Sequence, residues 1–342
     1  MRLGILTGGG DCPGLNAVIR AVVRRGIRAH GMEFVGFHDG WRGVLDDVAQ
    51  PLGIADTTGI LPRGGTILGS SGADPYRVEG GPAQILATIA EQELDGLVVI
   101  GGEGTLGVAV RLADEGVRIV GVPKTIDNDL AGTDVTVGFH TAVQVATDAI
   151  DRLHSTAESH DRVMLVEVMG RHSGWIAVYA GMAGGADAIL IPEHPFDVDG
   201  VCHHLRHRHA SRSSFSIVVV AEGALPVEGT LEIPEPPLDE NGFPRLGGLA
   251  NHLAPEIEKR TGFQTRVTIL GHVQRGGSPV SFDRVLATRF GIAAADLAAA
   301  RGWGRMVARK AQEVRDVPIA DAVTERNVVP PELYREAEVF FG

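Results

Sequence analysis

The sequence predicts an α/β protein of two similar three-layer lobes with mainly parallel sheets. Three observations lead there: short apolar runs recur along the chain, helical stretches lie between them, and 342 residues exceed the usual size of one hydrophobic core. The runs lie at residues 3–6, 34–37, 97–100, 119–122, 163–168, 189–191, 215–221 and 267–270, each ending in glycine or a polar cluster. Near-continuous Val, Ile and Leu suits strands covered on both faces of a parallel sheet. The helical stretches include residues 16–30, 106–114, 141–154 and 283–300. Such alternation implies right-handed crossovers between parallel strands.

Composition narrows the functional classes. With 44% hydrophobic and 22% charged residues, the chain has enough apolar side chains to offset the entropy of folding. No apolar run approaches the ~20 residues that span a bilayer, and the N-terminus enters a strand pattern at once, so a cytoplasmic protein without membrane attachment is expected. Cys12 and Cys202 stand in unrelated contexts and provide neither a disulfide framework nor a zinc quartet. A net charge of −12 opposes nonspecific binding to nucleic acid. Residues 226–245, rich in proline and acids, read as an exposed excursion, and residues 314–342 carry no chemical signature.

In open α/β sheets ligands bind beyond the carboxyl ends of strands, and there this sequence gathers glycine, acid and arginine. The first run leads into TGGGDCPGLN, residues 7–16, where consecutive glycines bare the backbone N–H groups and Pro13 and Asn16 help to start a helix. A phosphate fits such a loop, as a tight turn also would. The run at 97–100 leads into GGEGT, residues 101–105. Gly101, Gly102 and Gly104 form a bare cradle, and Glu103 either meets a divalent cation or complements a helix dipole. The run at 119–122 ends in PKTIDND, residues 123–129, bringing Lys124, Thr125, Asp127 and Asp129 into one loop. One carboxylate there can accept a proton from an attacking hydroxyl and the other can reach a metal through water; an Asx-turn is the simpler alternative. Arginine follows: Arg171 in MGRHSGW, His272 and Arg275 in LGHVQRGGSP, and Arg162 and Arg266 at strand starts. Guanidinium forks match phosphate oxygens bidentately.

TGGGDCPGLN, GGEGT, PKTIDND, MGRHSGW, IPE, AEG and LGHVQRGG, in this order and spacing, resemble the phosphofructokinases, over roughly residues 1 to 320. Glu in GGEGT and Lys in PKTIDND resemble the actinobacterial type. The resemblance implies a donor-binding lobe of residues 1–138 plus 251–303, a sugar-phosphate-binding lobe of 139–250 plus 304–320, and a tail of 321–342, with the active site between the lobes. By the same resemblance Asp127 is the base for the sugar's 1-hydroxyl, with Thr125 and Asp129 beside it. Gly10, Gly102, Gly104 and Thr105 cradle the donor with Lys124 nearby, and Glu103 holds Mg²⁺. Arg171 stabilises the transferring phosphoryl group, while Met169, Gly170, Glu222, His272 and Arg275 line the sugar pocket. Arg162 and Arg266 reach the 6-phosphate from a neighbouring subunit, which implies a homodimer or homotetramer.

The expected reaction is phosphorylation of fructose 6-phosphate by Mg-ATP. A reversible pyrophosphate-dependent transfer and a noncatalytic sugar-phosphate sensor are the alternatives. Gly104 favours ATP because it leaves room where pyrophosphate users in the family tend to carry aspartate, whereas Lys124 is the residue those enzymes share. A sensor would tolerate damage at Asp127, Asp129 or Glu103, and all are intact. A dinucleotide dehydrogenase could offer Asp39 to a ribose but leaves the other acid loops unexplained. Where many family members carry an arginine on the transferred phosphate, this chain reads Ser70, Ser71, Gly72, with Arg77 nearby in sequence. The effector site of bacterial relatives is matched in part, by Arg20 and Arg24, with His154 where arginine is often found.

Overall fold

The computed structural model describes residues 1–210, 214–235, 237 and 246–341. Its strands are β1 (Arg2–Thr7), β2 (Glu33–Phe37), β3 (Ala49–Pro51), β4 (Gly96–Gly101), β5 (Ile119–Pro123), β6 (Val163–Val168), β7 (Ala188–Leu190), β8 (Ser216–Ala221), β9 (Thr265–Ile269), β10 (Arg305–Lys310) and β11 (Glu313–Pro318). Its helices are α1 (Leu15–His30), α2 (Trp41–Leu45), α3 (Gly81–Glu91), α4 (Glu103–Asp114), α5 (Phe139–His160), α6 (Trp175–Ala183), α7 (Val198–Ala210), α8 (Leu249–Thr261), α9 (Ser281–Ala299), α10 (Ile319–Thr324) and α11 (Pro331–Glu338). The chain divides into two compact units, one of Met1–Thr141 with Arg275–Asn327, the other of Ala142–Gln274 with Val328–Gly342.

The first unit is built on a seven-stranded sheet of order β11-β10-β5-β4-β1-β2-β3. Its centre is parallel, while β3 and β11 close the two edges in antiparallel pairing. Every residue of β4 and β5 is buried, so both faces are covered, as the unbroken apolar runs require. One face packs Leu6, Val99, Leu97 and Ile119 against Trp41, Leu106, Leu112 and Ile319. Burying side chains of this size is favourable by ~1.5–3 kcal/mol each, which is what holds the helices to the sheet. Elsewhere α1 runs along α9, with Gly291 set against Val18 and Ala21. The fully buried Asp283 of α9 accepts the N–H groups of Gly138 and Thr141 and the Thr141 hydroxyl, so it fixes where α5 begins.

The second unit holds a four-stranded, all-parallel sheet of order β7-β8-β6-β9. Glu167 of β6, almost fully buried, accepts the N–H groups of Gly248 and Ala250 and thereby anchors the start of α8. Val329 N–H and Gly174 N–H both donate to Glu193, and the Tyr334 hydroxyl donates to the carbonyl of Ile189.

The expected boundaries need revision. Residues 251–274, expected in the donor lobe, form α8 and β9 of the second unit, β9 pairing with β6 through Met164 and Arg266. Residues 304–320, expected in the sugar-phosphate lobe, form β10 and β11 on the seven-stranded sheet, where Met306 pairs with Gly121. Position along the chain does not reveal which sheet edge a late strand joins. The expected tail of 321–342 is divided between the units and carries α11. Of the excursion at 226–245, residues 236 and 238–245 lie outside the described residues; most of residues 227–235 are exposed. Among the described residues no helix is long and apolar enough to cross a membrane.

Both cysteines are free and fully buried. Cys12 donates its thiol to the carbonyl of Val137, and burial pushes that thiol up to about 12; burial also raises Cys202. Neither should react with a disulfide reagent at neutral pH in the native protein, because access and thiolate are both lacking. Thiol titration with and without denaturant checks this. A fast-reacting native thiol would show that one of these sites opens.

Candidate active site

Strands β5, β4 and β1 are neighbours in the first sheet, with Thr7 level with Ile100 and Gly101 level with Pro123. Their carboxyl ends therefore release the three loops carrying glycine and acid side by side. Thr105, in the first turn of α4, packs so closely on the ends of β1 and β4 that a Cβ on Gly8 or Gly101 would fall within 2.6 or 2.4 Å of its side chain. Bare backbone at those positions is a packing requirement, and it lets the loops lie flat against each other. Gly9 donates its N–H to the carbonyl of Ser71, and the Ser70 hydroxyl donates to the Gly9 carbonyl, so the segment with the expected arginine gap packs on the first loop. Arg77 pairs with Asp74 of its own turn at 3.7 Å.

No side chain caps α1 or α4. At α4, where Glu103 and Gly104 are exposed, the first-turn N–H groups therefore keep the positive end of the helix dipole open to an anion. The first turn of α1 is buried and leaves the half-buried Gly9 and the exposed Gly10 of the preceding loop to face solvent. Gly104 has open space above it: a Cβ there would meet nothing within 4 Å. Lys124 is buried, with its ammonium donating to the carbonyl of Gly10 at 2.6 Å. Burial lowers its affinity for the proton, offset in part by Cys12, Asp11 and Asp127. Arg275 lies against Gly10 and is the residue at which the chain enters the first unit.

In the third loop Asp127 donates its backbone N–H to the Thr125 hydroxyl, and the Thr125 carbonyl accepts the Thr136 hydroxyl. Asn128 adopts a left-handed backbone with φ of 54°, which asparagine tolerates better than most residues. Its buried side chain accepts from Thr136 N–H and donates to the Asp134 carbonyl. The flanking carboxylates are close enough to interact. Burial first, and the negative charge of Asp127 next, push Asp129 up to about 6. Glu103 is half-exposed at the start of α4 and pairs with Arg326 at 3.5 Å. Among the described residues no set of three or more His, Cys, Asp or Glu side chains could hold a metal by itself.

The second unit separates its candidates by strand end. Met169 and Gly170 follow β6, Glu222 follows β8 and His272 follows β9, and these strands pair in parallel register. Met169 N–H donates to Gln274, and Glu222 N–H donates to the carbonyl of Val168. Arg171 comes next in the Met169 loop, half-buried. Arg162 and Arg266 sit together at the opposite ends of the same strands: Arg162 donates to Gln264, and Arg266 is level with Met164. A six-residue strand spans ~20 Å, so in this unit these arginines and the Met169 loop serve different surfaces.

Arg326 and Asn327 carried no signal in the sequence, and Gln274 stands inside LGHVQRGGSP without a role of its own there. Arg326 and Asn327 lie in a mixed segment remote from every motif, and only the fold carries them to the acid loop.

Residues 2–298 match the family described as Phosphofructokinase. The chain is 57% identical over 342 residues to a pyrophosphate–fructose 6-phosphate 1-phosphotransferase of Amycolatopsis methanolica, covering 100% of both chains. It is 54% identical over 343 residues to an ATP-dependent 6-phosphofructokinase of Mycobacterium tuberculosis, again covering 100% of both. Among solved structures, phosphofructokinase from Saccharomyces cerevisiae superposes with a TM-score of 0.80 at 34% identity, the match covering 94% of this chain and 45% of that longer one.

Proposed function

The chain belongs to the phosphofructokinase family, and on that premise we propose that it phosphorylates the 1-hydroxyl of fructose 6-phosphate with Mg-ATP as donor. The observation that carries the reading is the alignment of β1, β4 and β5, which sets the glycine-rich first loop and the uncapped start of α4 beside an acid loop. Phosphoryl transfer asks for this pairing, since the protein's work is to hold phosphates, position the hydroxyl and take its proton.

Roles divide by unit. Gly10, Gly102, Gly104 and Thr105 hold the donor's phosphates in the first unit, with Lys124 supplying positive charge from beneath Gly10. Asp127 accepts the hydroxyl proton, Thr125 positions it through the Asp127 N–H, and Asp129 adds negative charge beside it. Glu103 suits Mg²⁺, a hard cation commonly held by one or two carboxylates together with phosphate oxygens and water. When bound, the cation neutralises charge on the donor's phosphates. Arg275 stands on the donor side against Gly10. From the second unit, Met169, Gly170, Glu222 and His272 bind the sugar, and Arg171 stabilises charge on the transferring group.

Pyrophosphate is the second reading, favoured by Lys124 and by relatives such as that of Amycolatopsis methanolica, whose name specifies this donor. The unobstructed space at Gly104 favours ATP, because the first turn of α4 can then admit the additional phosphate of a nucleotide. A coupled assay with fructose 6-phosphate and each donor tests the assignment: ATP should give the higher kcat/KM.

Arg162 and Arg266, remote along the strands from the Met169 loop, bind the 6-phosphate of a neighbouring protomer's substrate, which makes the working enzyme a cytoplasmic homodimer or homotetramer. Arg162→Ala or Arg266→Ala should raise the KM for fructose 6-phosphate at least tenfold, since a charge-assisted hydrogen bond to phosphate contributes ~1.5–3 kcal/mol. Mixing either variant with Asp127→Asn should restore part of the activity through hybrid sites. No recovery after demonstrated subunit exchange would place these arginines outside the shared site.

A further inference from the structure

Residues 326–327 form a short splint along the acid loop of the first unit. The Asn327 side chain donates to the carbonyl of Asn128 at 2.8 Å, and the Asn327 N–H donates to the carbonyl of Asp129 at 2.9 Å. One residue earlier, Arg326 pairs with Leu130 in a single antiparallel bridge, and its guanidinium pairs with Glu103 at 3.5 Å. Consecutive residues thus grip the loop and the cradle beside it.

The loop needs this support. Asn128 holds a left-handed backbone between the two aspartates, and its side chain is engaged on one side only, by Thr136 and Asp134. Those bonds secure the Asn128 side chain. Its carbonyl and that of Asp129 determine where the chain turns, and both accept a hydrogen bond from Asn327. A peptide rotation at either carbonyl would re-aim the adjacent carboxylate.

We propose that Asn327 is a positioning residue for phosphoryl transfer, holding the Asp127–Asp129 loop in its reactive conformation, with Arg326 tying the same splint to the donor cradle through Glu103. The inference rests on Asp127 being the base. Asn327 itself touches neither donor nor sugar in this account, so its loss acts through Asp127 and spares ground-state binding.

Asn327→Ala and the isosteric Asn327→Asp both delete the side-chain N–H donated to the Asn128 carbonyl and leave the backbone N–H donated to Asp129 in place. Each should lower kcat roughly 10- to 100-fold, the scale of a displacement of ~1 Å at a reacting group, with the KM for fructose 6-phosphate within about threefold of the parent. Unfolding temperatures should stay within a few degrees of the parent, as expected for one half-buried side chain. In an Asp127→Asn background, Asn327→Ala should change the residual turnover less than about twofold, because the group it positions is already gone. The proposal is overturned if either variant keeps kcat within twofold, if the loss is as large in the Asp127→Asn background, or if neither variant folds, which would make Asn327 a structural residue. Near-normal turnover in Asp127→Asn alone would instead remove the base assignment, so the two failures are told apart.

Discussion

Asp127→Asn is expected to reduce kcat by ~10²- to 10⁴-fold while leaving fructose 6-phosphate affinity nearly unchanged, the usual reach of a general base in catalysis. The substitution preserves shape, and it keeps the backbone donation from residue 127 to the Thr125 hydroxyl, so the loop need not move. What disappears is the basic carboxylate oxygen that takes the hydroxyl proton. Phosphate contacts from arginine are untouched, which separates kcat from binding. Steady-state kinetics with either donor, alongside a direct binding measurement for the sugar phosphate, check the outcome. A variant turning over at more than a tenth of the parent rate would remove Asp127 from the mechanism.

Gly104→Asp should lower the ratio of kcat/KM for ATP to that for pyrophosphate by ~10²- to 10³-fold. The new Cβ meets no protein atom within 4 Å, and Gly104 lies in the first turn of α4 with no left-handed backbone, so the fold should accept the change. Its carboxylate would occupy space that only the longer donor needs. Two negative charges ~4 Å apart in a site of effective dielectric constant ~20 repel by ~4 kcal/mol, and partial screening leaves the expected range. Measuring both donors in both proteins gives the result as a ratio of ratios, which cancels any general loss of activity. An unchanged ratio would show that Gly104 does not face the distinguishing phosphate, and a parent enzyme that strongly prefers pyrophosphate would transfer that role to Lys124.

The parallel strands were legible because their residues are buried on both faces, which leaves an uninterrupted apolar run in β4 and β5. Strands β10 and β11 were missed as strands for the opposite reason. RMVARK and EVRDVP place charged residues on partly exposed positions near a sheet edge, where alternation is the only signal and it is short. The acid and glycine loops were legible because glycine and closely spaced acids form short local motifs, and each follows a recognisable strand. In the sequence Asn128 is no more than one letter of its motif. Its role appears once its positive φ and the partners of its side chain are seen.

By itself the sequence determined the fold class and the order in which glycine, acid and arginine follow the strands, because these depend on local pattern: apolar runs, glycine at turns, carboxylates and guanidinium groups in short motifs. Only the tertiary structure decided which late strands join which sheet, that Arg275 stands against Gly10, that Arg162 and Arg266 occupy the far ends of the strands from the Met169 loop, and that Arg326 and Asn327 brace the acid loop. Asn327 and Asn128 are separated by 199 positions in the chain. A hydrogen bond across such a distance leaves no periodicity in either segment; it exists because β10 adds beside β5, β11 runs back antiparallel to it, and α10 then brings the chain to the acid loop at the carboxyl end of β5.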